Sequence, residues 1–172
     1  FEIALACHAR FAANDNPKLV FGLPESKVGL LPGGGGTQRL PRLIGLMQSS
    51  SYILEGKNMK ADEAKAYGIV KELVPTADLI STAKEWVKAN PKAKAPWDEK
   101  GFRFPGGVPN QKPEATQISM VGNAMVMSKT YGNYPAQKNI LKCLYEGSQV
   151  PIDAALRIET RYFVETMQTP EA

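Results

Sequence analysis

One histidine and two cysteines are all that 172 residues offer to a His–metal cluster or a thiol framework. His8 alone makes no His cluster, and a Ser-His-Asp machine has no route except through it. It sits on a predicted helix, pointing away from the acidic residue one turn earlier, and reads as structural. Two cysteines do not build a disulfide scaffold and indicate a reducing, cytoplasmic setting. Cys7, among Ala and Leu, and Cys143, in an apolar helical pattern, both read as small core hydrophobes. No apolar run approaches the roughly 20 residues that span a bilayer, and no signal peptide is visible. The net charge of +4 is mild. Its densest patch, Lys84 to Lys94, reads as a solvated helix face, so neither nucleic acid nor a membrane is an expected partner.

What the sequence does have is concentrated between Phe21 and Leu40. A carboxylate, Glu25, follows Pro24 at the end of an apolar run. Four glycines, Gly33 to Gly36, then open into a helical pattern over Thr37 to Ile44. Glycines let a ligand approach the main chain, and the first N–H groups of a helix lack intrahelical partners. Such a corner suits a water, an oxyanion or a phosphate, or is simply a turn. The phosphate-loop pattern needs a Lys and meets Gln38 instead, and Gln38 also breaks the dinucleotide pattern G-x-G-x-x-G.

The chain begins at Phe1 inside a helical pattern, with Glu2 in its first turn and Ile3, Leu5, Ala6 and Cys7 as its apolar residues. Arg10 to Ala13 and Leu19 to Phe21 flank the turn residues Asn14 to Pro17 and predict a hairpin. Helices are expected over 48–55, closed by Gly56, and over 61–67, closed by Gly68, followed by a strand-like run over 69–74. The spacing of Leu79, Ile80, Ala83, Trp86 and Val87 predicts a helix over 78–89. Residues 92–113 are rich in Pro and aromatics and read as an ordered excursion or a linker, a stretch of this kind more often packing onto its own domain. Helices follow over 113–129, over 137–146 closed by Gly147, and over 152–167. In the last, Leu156, Ile158, Tyr162, Phe163 and Met167 predict burial on more than one side.

Three motifs, F-G-L-P-E at Phe21 to Glu25, P-G-G-G-G-T-Q-R-L-P-R-L-I-G at Pro32 to Gly45, and A-D-E-A-K-A-Y-G-I-V at Ala61 to Val70, resemble the enoyl-CoA hydratase/isomerase (crotonase) family in order and spacing. The resemblance implies an α/β chain: the C-terminal part of a crotonase (spiral ββα) fold, followed by a mainly helical region. Residues 1–75 would be a partial crotonase core carrying the catalytic carboxylates. Residues 76–172 would be the mainly helical region, which from Trp97 onward is most similar to the hydratase half of multifunctional fatty-acid oxidation proteins.

The implied activity is hydration of trans-2-enoyl-CoA to 3-hydroxyacyl-CoA in fatty-acid β-oxidation, with Δ3-Δ2 isomerase activity as a possible addition. By the same resemblance Glu2 and Glu25 are the catalytic pair that holds the water, Glu25 protonates the α-carbon, and the N–H of Gly33 helps position the water. A β-branched side chain at Gly33 is expected to block that site. The implied partners are an acyl-CoA thioester and a homo-oligomer or larger fatty-acid oxidation complex. No metal or cofactor is expected, and NAD enters only if a dehydrogenase domain follows. The family's oxyanion donors lie upstream of Glu2, so the chain reads as lacking an N-terminal part and is expected to be inactive alone. The alternatives are other acyl-CoA chemistry on the same fold, such as hydrolysis, and an inactive fragment or assembly module.

Overall fold

A computed structural model describes the backbone of residues 1–172 and the side chains of all but residues 114 and 117–119. Helices dominate: α1 (Glu2–Ala6), α2 (Gly36–Ile44), α3 (Leu46–Leu54), α4 (Ala61–Ala66), α5 (Leu79–Ala89), α6 (Pro113–Thr130), α7 (Pro135–Ser148) and α8 (Ile152–Met167). Four short strands, β1 (Phe11–Ala13), β2 (Val20–Gly22), β3 (Asn58–Lys60) and β4 (Glu72–Val74), form two pairs. One-turn 3₁₀ segments cover Pro24–Val28, Thr76–Asp78 and Pro96–Asp98. Among the described residues no helix is long and apolar enough to cross a membrane.

The expected hairpin does not form. β1 pairs in parallel with β4, Ala12 opposite Leu73, while β2 pairs antiparallel with β3, Phe21 opposite Met59. The loop between β1 and β2 is tied elsewhere. Asp15 accepts hydrogen bonds from the N–H and hydroxyl of Thr76 at 3.0 and 2.6 Å, and Asn16 closes its own turn onto the N–H of Lys18. Turn chemistry at Asn14 to Pro17 was therefore legible, but its partner was the segment after β4 rather than β2.

α2 is the element the others pack around, touching α1, α3, α7 and α8. One buried cluster runs from Leu5, Leu23 and Leu31 through Leu40 and Ile53 to Ile140, Leu144 and Tyr162. Such burial is worth about 1.5–3 kcal/mol for each large apolar side chain. α5 stays outside it. None of its residues is buried, and Ile80 and Val87 are 67% and 61% exposed, although Trp86 packs edge-on against Phe11. Residues 97–112 fold back onto the junction of α7 and α8, where the Phe104 ring lies 5.5 Å from the Arg42 guanidinium. A cavity of about 750 Å³ opens there, away from the Gly corner.

Four further expectations are corrected. Cys7 is exposed, because α1 ends at Ala6 and the extended backbone of Cys7 carries it off the helix; Cys143 is fully buried. Of the apolar residues of α1 only Leu5 is buried, and Ile3 is 86% exposed. α7 does not stop at Gly147 but runs through it to Ser148, with that glycine pressed against Gln38. α8 fully buries only one stripe, Ala155, Glu159, Tyr162 and Thr166; Ile158 and Phe163 beside it are partly buried against the core, and Met167 is 49% exposed.

Candidate active site

The Gly corner begins where the chain turns out of Pro32 and ends in the first turn of α2. Each glycine has its own reason to be there. Gly35 sits at φ +100°, a region that side chains with a Cβ rarely enter. A Cβ on Gly34 would stand 2.8 Å from one oxygen of Glu2, and a Cβ on Gly36 would stand 2.7 Å from the other. A Cβ on Gly33 would stand 2.7–2.9 Å from the ring of Phe163 on α8. A β-branched residue at Gly33 would thus push on α8 as well as on whatever occupies the corner.

Glu2, in the first turn of α1, reaches into this corner. Its Oε1 accepts the N–H of Gly34 at 2.8 Å and of Gly36 at 2.6 Å. Glu25 lies on the 3₁₀ segment Pro24–Val28, half-buried, with its Oε2 buried and without a hydrogen-bond partner among the described residues. Burial pushes its carboxyl above the ordinary carboxylate range, and the charge of Glu2 pushes the same way. Glu2 and Glu25 are thus near enough for the charge of one to act on the other, one anchored by two amides and one with an oxygen to spare. A water or a substrate proton placed between them would meet a hydrogen-bond acceptor on one side and an acid of raised pKa on the other.

A third carboxylate was not foreseen. Glu159 of α8, 1% exposed, accepts the N–H of Gly35 at 2.6 Å and the N–H and hydroxyl of Thr37 at 3.0 and 2.5 Å. Burial raises its pKa to about 7, partly offset by the Thr37 hydroxyl. The available signal was helical spacing. Position 159 falls on the inward stripe with Ala155, Tyr162 and Thr166, where a Glu has no reason to be unless something polar faces it. Neither carboxylate takes the N–H of Gly33.

The amides of residues 34–37 are all taken by the protein's own carboxylates, so the corner does not present an open anion cradle. The polar residues that follow hold the elements rather than a ligand. Gln38 donates to the Thr37 hydroxyl and to the carbonyl of Cys143 at 2.9 and 3.0 Å. The buried Arg42 donates to the carbonyls of Gln38, Gly147 and Val150 at 2.8–3.0 Å, and burial lowers its pKa to about 10. Arg39 caps the corner through the carbonyl of Gly34 at 2.7 Å. Among the described residues no three His, Cys, Asp or Glu side chains cluster in a way that could hold a metal.

A family profile described as enoyl-CoA hydratase/isomerase matches residues 1–96. The chain is 40% identical over 177 residues to the fatty acid oxidation complex subunit alpha of Idiomarina loihiensis, an alignment covering 99% of this chain and 24% of that protein. It is 37% identical over 176 residues to the subunit of the same name from Shewanella amazonensis, with the same coverage. The chain thus spans about a quarter of the length of the curated relatives it matches. Two solved structures share its fold. They are an enoyl-CoA hydratase from Mycobacterium avium subsp. paratuberculosis (TM-score 0.58, 18% identity, 99% of this chain and 53% of that one) and an enoyl-CoA hydratase/isomerase from Pseudoalteromonas atlantica (TM-score 0.57, 16% identity, 99% and 52%). The architecture is that of the crotonase fold, α/β with a helical C-terminal region.

Proposed function

The chain belongs to the enoyl-CoA hydratase/isomerase family, and we propose that it carries the water-activating carboxylates of an enzyme that converts trans-2-enoyl-CoA to 3-hydroxyacyl-CoA in fatty-acid β-oxidation. The observation that carries the reading is the unequal pair. Glu2 is fixed by two amides, and Glu25 is half-buried with a raised pKa and an unpartnered oxygen.

Hydration needs a base for water, an acid for the α-carbon and donors for the charge that develops on the thioester oxygen. Glu2 and Glu25 hold the water between them, with the N–H of Gly33 as a third contact. The water oxygen bonds to C3 as its proton passes to Glu2, and the electron pair of the C2–C3 double bond takes the proton of Glu25 at C2. The two carboxyl groups then exchange one proton to reset. The thioester oxygen finds its donors outside the Gly corner, because the amides of residues 34–37 are committed to Glu2 and Glu159. The same acid and base, with no water added, could take a proton from C2 of a 3-enoyl thioester and return it at C4, which is the isomerase reading.

The names of the relatives support assembly into a larger fatty-acid oxidation complex, and both cysteines are free, which supports a reducing, cytoplasmic setting. The test is steady-state kinetics of the full-length protein on 2-enoyl-CoA and 3-enoyl-CoA. Glu25→Gln and Glu2→Gln should each lower kcat on the 2-enoyl substrate by at least ~10²-fold with little change in KM. Turnover near wild type in either variant removes that residue from the mechanism.

A further inference from the structure

Four successive amides at the start of α2 are divided between two carboxylates by strict alternation. Gly34 and Gly36 donate to Glu2, and Gly35 and Thr37 donate to Glu159. Glu2 sits near one end of the chain and Glu159 more than 150 residues later, so α1 and α8 grip one run of backbone from two sides. Peptide units are planar, and turning one N–H turns the carbonyl attached to it and thereby the neighbouring unit. The directions of the Gly34 and Gly36 amides are thus not independent of those of Gly35 and Thr37. On the hydratase reading, we propose that Glu159 is a positioning residue: by fixing the Gly35 and Thr37 amides it aims those of Gly34 and Gly36, and so orients the Glu2 carboxylate for its water.

Burial sharpens the argument. Glu159 is 1% exposed, and among the described residues it has no ion-pair partner. The titratable groups that face it are Glu2 from α1 and Cys143 from α7, with the Thr37 hydroxyl from α2. A carboxylate buried without a counter-ion is costly, and an apolar residue of similar volume would pack the stripe of Ala155, Tyr162 and Thr166 at lower cost. Its bonds go to the N-terminal turn of α2 alone, beside the amides that hold Glu2. Precise orientation of a reacting group is where a small displacement has a large effect on rate, up to about a hundredfold for a shift near 1 Å.

The experiment uses the full-length protein with Glu159→Gln, which keeps the shape but presents an NH₂ to one of the two amides, and Thr37→Val, which removes one donor. Glu159→Gln should lower kcat on trans-2-enoyl-CoA by about ten- to a hundredfold, with KM unchanged within about twofold. In a Glu2→Gln background it should add nothing further, because its effect runs through Glu2. Equal losses in both backgrounds, a change in KM alone, or wild-type kcat would overturn the proposal. Amide hydrogen exchange supplies an arm that needs no turnover. Glu159→Gln must speed exchange at Gly34 and Gly36 as well as at Gly35 and Thr37, and unchanged exchange at Gly34 and Gly36 overturns the proposal. A wild-type protein that ignores enoyl-CoA defeats the hydratase reading instead and leaves exchange to decide the positioning. If Glu159→Gln does not fold, Thr37→Val carries both arms, with the same directions expected.

Discussion

Glu159 holds its proton more tightly when folded than an exposed glutamate does, its pKa rising from 4.5 to about 7 through burial. Below about pH 4.5 the group is protonated in both the folded and unfolded chains and contributes nothing to pH dependence. Between there and pH 7 the unfolded chain gives up the proton first, so stability falls as pH rises, and above pH 7 the loss is complete. A shift of this size corresponds to about 3 kcal/mol. Glu159→Gln should therefore flatten the decline of unfolding free energy between about pH 5 and pH 7.5, checked by denaturant titration at both ends. An identical slope in the variant and the wild type would contradict the raised pKa. Glu25 stood out because it closes a short motif, F-G-L-P-E, and Glu2 because it opens the helix that precedes it. Glu159 did not, because its partners lie more than 120 residues away and only its inward register on α8 marks it. Cys7 misled for the opposite reason. Its neighbours in sequence are apolar, but a five-residue helix ends before it can be turned inward.

At the scale of elements, α2 is held by contacts that local sequence does not announce. Gly147 was expected to end α7; instead it lets α7 press against α2, and a Cβ there would land on the Gln38 amide, whose bonds to Thr37 and the Cys143 carbonyl fix it in place. On an open helix Gly→Ala gains up to about 1 kcal/mol. Overpacking against a pinned side chain costs about 1–3 kcal/mol. The second effect should win, so Gly147→Ala should lower the unfolding free energy by about 1–2 kcal/mol, measured by the denaturant midpoint. A raised midpoint would show that Gln38 yields. The helices themselves were largely legible, since apolar spacing and Gly or Pro punctuation placed α2, α3, α4, α6 and α8 within a few residues. Strand pairing was not, because three-residue strands carry little pattern and their partners are set by tertiary packing.

For the whole molecule, one shared cluster of buried side chains and one glycine corner join the first and last helices, so the carboxylates that bind the corner's amides come from segments far apart in sequence. The family and fold follow from the chain itself, while the reaction is the proposal that the unequal pair of Glu2 and Glu25 supports. The most direct measurement is product analysis after the full-length protein has acted on trans-2-enoyl-CoA in water enriched in oxygen-18, read by mass spectrometry. The account predicts intact 3-hydroxyacyl-CoA with one heavy oxygen in its C3 hydroxyl, formed at least ~10²-fold more slowly by Glu25→Gln. Heavy oxygen in a free acid with coenzyme A released, or a product without label, would contradict it.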